Sequence, residues 1–156
     1  MKRRLFSILL SLVIIISVFS VSDIYFAAYP PYTYNVLSSS NKTIEITKYN
    51  GTEETVNIPQ AIDGYTVVSL SSSSFIDNSS IKILNIPATI NNISCSFNSP
   101  NIEEINVNSS NCYYSSEDGV LYDKSKETLI RCPYNYQQET FVVPETVKII
   151  GSYAFR

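Results

Sequence analysis

Histidine and tryptophan are absent from this chain of 156 residues, which has only 4 glycines and 3 cysteines. Without histidine there is no Ser-His or Cys-His nucleophile pair, no His-bound zinc, and no side chain whose ordinary pKa sits near neutrality. No glycine-rich phosphate cradle, metal-ligand cluster or calcium-loop spacing is present, so neither a cofactor nor a metal is expected. Charge is scarce, with 16% charged residues and a formal net charge of −3. Clustered Lys and Arg, which phosphate-backbone binding needs, are missing, and nucleic acid is excluded as a partner. Apolar residues never recur at i, i+3, i+4, i+7 long enough to make an amphipathic helix.

The one long apolar run is N-terminal. Lys2, Arg3 and Arg4 precede the uncharged stretch Leu5 to Val21, a basic flank and apolar segment that read as an export signal over 1–22. A retained N-terminal anchor is the alternative, and it is the only route to a membrane that the sequence offers. Cleavage after Ser22 leaves a mature charge of −6. Secretion or display at the cell surface is expected. Residues 23–42, with Pro30-Pro31 and Ser38-Ser39-Ser40, read as a spacer.

From residue 43 the texture is short apolar runs separated by Asn, Ser, Gly and Pro, which predicts a mainly β domain over 43–156. Asn50-Gly51 lies between the alternating run Ile44 to Tyr49 and the run Thr55 to Ile58, and predicts an N-terminal hairpin with a long loop. Asp63-Gly64 predicts a second hairpin turn, between Thr55 to Ile58 and Tyr65 to Val68, because Asn-Gly and Asp-Gly tolerate the positive φ of tight hairpins. Asp118-Gly119 precedes Val120-Leu121-Tyr122, whose expected partner is Thr128-Leu129-Ile130-Arg131.

Self-similarity carries the most information. Ile81, Leu84 and Ile86 recur as Ile102, Ile105 and Val107. Leu70 recurs as Ile93 and Phe75 as Phe97. A third copy runs from Val142-Val143-Pro144 through Val147, Ile150, Gly151, Ala154 and Phe155, after an insert over about 108–141. A period in the low twenties suits a coil of one short strand and a return turn, too short for paired helices. The repeated aliphatic side chains should point inward and stack, with Phe75, Phe97 and Phe155 forming a second buried column.

The runs Ile58-Pro59, Asp63 to Val67, Ile81 to Pro87, Tyr114-Ser-Ser-Glu-Asp-Gly-Val-Leu-Tyr122 and Val147-Lys-Ile-Ile-Gly-Ser-Tyr-Ala-Phe155 resemble the BspA-type leucine-rich repeat family. That resemblance implies a leucine-rich repeat solenoid of short parallel strands on a secreted or surface protein, commonly non-catalytic and associated with adhesion or protein binding. Ser71 and Ser94 stand where the third copy has Gly151, and Ser74 and Ser96 where it has Ala154.

Few side chains invite chemistry. The pairs Glu53-Glu54, Glu103-Glu104 and Glu117-Asp118 are adjacent in sequence, and neighbours on a strand face opposite ways, so they do not converge on one glycosidic bond. Cys95, Cys112 and Cys132 are odd in number; if any pair oxidises, Cys112 with Cys132, flanking the inserted hairpin, is favoured, and the alternative is three unpaired cysteines that act as small apolar residues. The sequons at Asn41 and Asn108 matter only in a glycosylating host. A non-enzymatic binding module is therefore expected, its contact face including Lys82, Asn85, Glu103 and Asn106 on the recurring strands, with a protein or surface polymer as ligand. The competing reading is the lead-in or structural spacer of a larger secreted protein, possibly a hydrolase with its catalytic domain beyond residue 156. The third copy stops without a polar cap, so the sequence reads as truncated at its C-terminus and able to self-associate there.

Overall fold

The computed structural model describes residues 31–94, 97 and 99–155. The expected export signal 1–22, the start of the spacer and Cys95 lie outside the described residues. Among the described residues the regular structure is twelve strands: β1 (Tyr32–Ser38), β2 (Thr43–Tyr49), β3 (Thr55–Asn57), β4 (Ala61–Ile62), β5 (Tyr65–Leu70), β6 (Ile83–Ile86), β7 (Asn92–Ile93), β8 (Glu104–Val107), β9 (Tyr114–Glu117), β10 (Val120–Asp123), β11 (Thr128–Arg131) and β12 (Ile149–Ile150). Among the described residues there is no α-helix, and no helix long and apolar enough to cross a membrane.

The chain winds as a β-solenoid of about five turns. Strands β2, β5 and β7 stack in parallel on one side, and β3, β6 and β8 stack in parallel on the other. The registers match the repeats: Leu84 lies beside Ile105, Ile86 beside Val107, and Leu70 beside Ile93. Ile44, Ile46, Val67 and Leu70 from one sheet meet Val56, Leu84, Ile86 and Ile105 from the other, and together they form the main core. Each such side chain stabilises the stack by roughly 1.5–3 kcal/mol on burial, which is how coils with little local stability hold together. Main-chain bonds repeat along the stack. Ser71 N–H donates to Ile46 O at 3.0 Å, Ser94 N–H to Leu70 O at 2.9 Å and Gly151 N–H to Leu129 O at 2.8 Å.

That third bond shows what the insert does. Its last strand, β11, pairs in parallel with β12, so the insert supplies a coil position on which the third copy stacks. The hairpin expected around Asp118-Gly119 is present, with β10 antiparallel to both β9 and β11. Strand β10 is buried on both faces. Leu121 joins the main core, while Val120 and Tyr122 join Leu129, Cys132 and Ala154 in a second one.

Three expectations are corrected. An N-terminal hairpin exists, but β1 and β2 make it; β2 and β3, which flank Asn50-Gly51, lie in different sheets. The coil geometry overrides both local turn signals: β3 finds its aliphatic partner in β6, one coil further on, and across Asp63-Gly64 β5 pairs with the two-residue β4, not with β3. The spacer reading fails from Tyr32 onward, where β1 pairs antiparallel with β2 at the sheet edge and packs Tyr32 and Tyr34 on the core. Third, Phe155 does not extend the buried phenylalanine column. Phe75 and Phe97 stack with ring centroids 6.3 Å apart, and Tyr49 continues that column at 6.2 Å. Phe155 is 56% exposed and packs on Phe141 at 5.8 Å.

Candidate functional site

Period-two alternation decides what β3, β6 and β8 show to solvent. Val56, Leu84 and Ile105 point into the core, so their neighbours point out in two rows. The first row is Thr55, Ile83 and Glu104; the second is Asn57, Asn85 and Asn106, placed side by side by the parallel register. With strands about 4.8 Å apart, the three carboxamides form a ladder. Asn85 Nδ2 donates to Asn57 Oδ1 at 2.8 Å, and Asn106 Nδ2 to Glu104 Oε2 at 3.4 Å. A shallow groove of about 290 Å³ runs across this ladder, with Ile86, Pro87 and Val107 among its lining residues.

The four residues singled out from sequence divide between the two ends of these strands. Asn85 and Asn106 lie within the ladder, and Lys82 and Glu103 stand at the entries to β6 and β8. Lys82 Nζ pairs with Glu54 Oε1 at 2.9 Å. The hydrogen bond to Glu54, then the charges of Glu54 and Glu103, hold the ammonium above its ordinary pKa. Glu103 Oε1 accepts from Asn135 Nδ2 of the insert at 3.3 Å. Asn57 falls outside the sequence repeat because the β4–β5 turn lengthens the first coil: the step from Asn57 to Asn85 is 28 residues, whereas Asn85 to Asn106 is 21. The alternation in Thr55-Val56-Asn57 was the signal that could have found it.

The opposite sheet carries its own polar row, but one turned on itself. Ser69 Oγ donates to Glu45 Oε1 at 2.8 Å, and Asn92 Nδ2 to Ser69 Oγ at 3.0 Å. Ser69 is buried, so this row leaves less free hydrogen-bonding capacity than the asparagine ladder.

Cys112 and Cys132 are free thiols, the first exposed and the second buried. The expected disulfide is not formed, for a geometric reason. Strands β9 and β11 run the same way on either side of β10; Cys112 precedes β9 and Cys132 follows β11, so the two lie at opposite ends of four-residue strands. That separation is more than about 13 Å along the strands, against a bridging limit of about 7 Å between Cα atoms. Burial raises the Cys132 pKa, with Arg131 opposing. Among the described residues, no group of three or more Cys, Asp or Glu is arranged to hold a metal ion.

No protein-family model and no curated protein matches the sequence. Solved structures do. A leucine-rich repeat protein from Eubacterium ventriosum is 30% identical with a TM-score of 0.53, over 65% of this chain and 26% of that one. The pneumococcal vaccine antigen PcpA is 22% identical with a TM-score of 0.55, over 73% of this chain and 34% of that one. The chain thus spans about a quarter and a third of the lengths of these proteins. The in-register aliphatic stacks, the parallel strands and these bacterial neighbours together make its fold that of a leucine-rich repeat solenoid.

Proposed function

We propose that this chain is an exported BspA-type repeat module that binds a protein or surface polymer without catalysing a reaction, through the outer face of β3, β6 and β8. The observation that carries the reading is the asparagine ladder. Asn57, Asn85 and Asn106 present carboxamides with both donors and acceptors in register over an open groove, with the Lys82–Glu54 pair at the entries to the same strands. Such a face spreads affinity over several coils, as a solenoid surface does. Display outside the cell is supported by the basic and apolar N-terminal segment, and by a structural neighbour that is a vaccine antigen.

The test is capture of a ligand by the immobilised chain, followed by the triple variant Asn57→Ser, Asn85→Ser, Asn106→Ser. Capture should fall about tenfold or more, since each lost carboxamide bond contributes about 0.5–1.5 kcal/mol, with the unfolding midpoint little changed. Full retention of capture by the triple variant would falsify the assignment of this face.

A further inference from the structure

A second concavity lies beyond β8, between the β9–β10 turn and the loop that follows β11. It measures about 240 Å³ and is lined by Glu117, Asp118, Tyr122, Tyr136, Phe141 and Val142, among others. Nothing in the repeat pattern requires these residue types here. Tyr136 and Phe141 stand edge to face, with centroids 5.7 Å apart and planes at 89°. Phe155 backs Phe141 at 5.8 Å. Two rings at right angles beside the phenol of Tyr122 make an aromatic corner, and the turn brings two carboxylates to its rim.

The two carboxylates differ. Glu117 Oε2 is already bound by Lys126 Nζ at 2.9 Å. Asp118 has no cation or hydrogen-bond donor on its carboxylate among the described residues. It sits at a φ of 49° in a two-residue turn with Gly119, which fixes its place at the rim. Burial first, and then the charge of Glu117, pushes the Tyr122 hydroxyl up to about 12. Burial and then Asp118 raise that of Tyr136. The corner is therefore aromatic with a polar rim, and under a negative potential.

We infer that this pocket binds an alkylammonium group, with the ring faces of Tyr136 and Phe141 and the carboxylate of Asp118 as its recognition elements. Aromatic faces attract ammonium and quaternary ammonium groups most where a carboxylate adds charge and the site is partly desolvated. A volume below the usual range for drug-sized ligands suits one head group or one lysine side chain. The site shares no lining residue with the groove over the asparagine ladder, and neither reading depends on the other.

The test is amide chemical-shift titration of the full chain with tetramethylammonium chloride and with n-butylammonium chloride. Sodium chloride at matched ionic strength and tert-butanol, a neutral solute of similar shape, are the controls. Saturable shifts in the millimolar range are expected around Asp118, Tyr136 and Phe141 with the cations only. Asp118→Asn keeps a residue that tolerates positive φ and should weaken binding about fivefold; Tyr136→Leu should weaken it about tenfold. Tighter binding of n-butylammonium assigns the group to a partner's lysine, and tighter binding of tetramethylammonium assigns it to a free quaternary amine. Equal shifts with tert-butanol, affinity unchanged in Asp118→Asn, or no saturable shift with either cation overturns the inference.

Discussion

The carboxamide of Asn111 donates to the main-chain carbonyl of Ile90 at 2.8 Å from a fully buried position, and the same nitrogen reaches Pro87 O at 3.0 Å. Its oxygen accepts from the amides of Tyr113 and Tyr114 at 2.8 and 2.9 Å. One side chain thus ties the start of the insert to the return turn of the coil below it. Tyr114 completes the join: its hydroxyl accepts from Ile93 N–H at 3.1 Å, where another strand's main chain would otherwise bind β7.

Asn111→Ala should cost on the order of 3 kcal/mol, because two buried carbonyls and two amides lose their partner together. Asn111→Asp should not rescue it, since a carboxylate has no donor for Pro87 and Ile90. Urea unfolding midpoints measure both, and a cost within 0.5 kcal/mol of zero, on the order expected for a surface change, would remove Asn111 from this role.

The aromatic column gives a matched pair. Phe75→Ala should destabilise by about 3–5 kcal/mol, as deletion of a buried phenylalanine does, whereas Phe155→Ala should cost less than about 1 kcal/mol. Thermal unfolding of the two variants separates a stacked ring from an exposed one.

Two glycines separate strain from collision. Gly64 has a φ of +78° with open space where a Cβ would stand; Gly119 has a φ of +76° with Glu104 Cα 3.2 Å away. Gly64→Ala should therefore cost about 1–2 kcal/mol for conformation alone. Gly119→Ala should cost more, because the backbone of β8 must also give way. Equal costs from denaturant unfolding would refute the close approach of the β9–β10 turn to β8.

Stability should fall at both pH extremes. For Asp123, burial alone would raise the pKa, but hydrogen bonds from Thr128, Ser125 and Glu127 together lower it. A depressed folded pKa stabilises above the ordinary carboxylate value and ceases to do so as pH falls through the folded one, so Asp123→Asn should flatten the acid limb. Tyr32 and Tyr122 are raised from 10.0 to about 12, mainly by burial. Their contribution is complete below pH 10 and is lost as pH rises towards 12. Tyr122→Phe should delay alkaline unfolding, followed by urea midpoints from pH 9 to 12.

The aliphatic spacing was legible because stacking in register demands the same kind of side chain at each step, as with Leu84 on Ile105. The two Asp-Gly turns were legible because positive φ leaves few residue choices. Partner choice was not, since the Asn50-Gly51 signal is local and the pairing of β2 with β5 is set by a coil more than twenty residues long. Strand β1 hid behind Pro30-Pro31 and a serine run. Asn111 and Arg131, whose Nη1 donates to Tyr153 O at 2.7 Å and Nη2 to Phe97 O at 3.2 Å, were invisible because polar residues announce nothing of their burial. On the candidate face the sequence named two rungs of the ladder and missed Asn57, whose coil is longer than the others.

The central claim, that the outer face of β3, β6 and β8 is the contact surface, is tested most directly by hydroxyl-radical footprinting of the chain with and without its captured ligand. Protection should concentrate at Val107 in the groove and at Ile83 in the row beside it, with Val36 and Leu37 on β1 labelled equally in both states. Unchanged labelling of the groove with protection elsewhere on the solenoid would contradict the account.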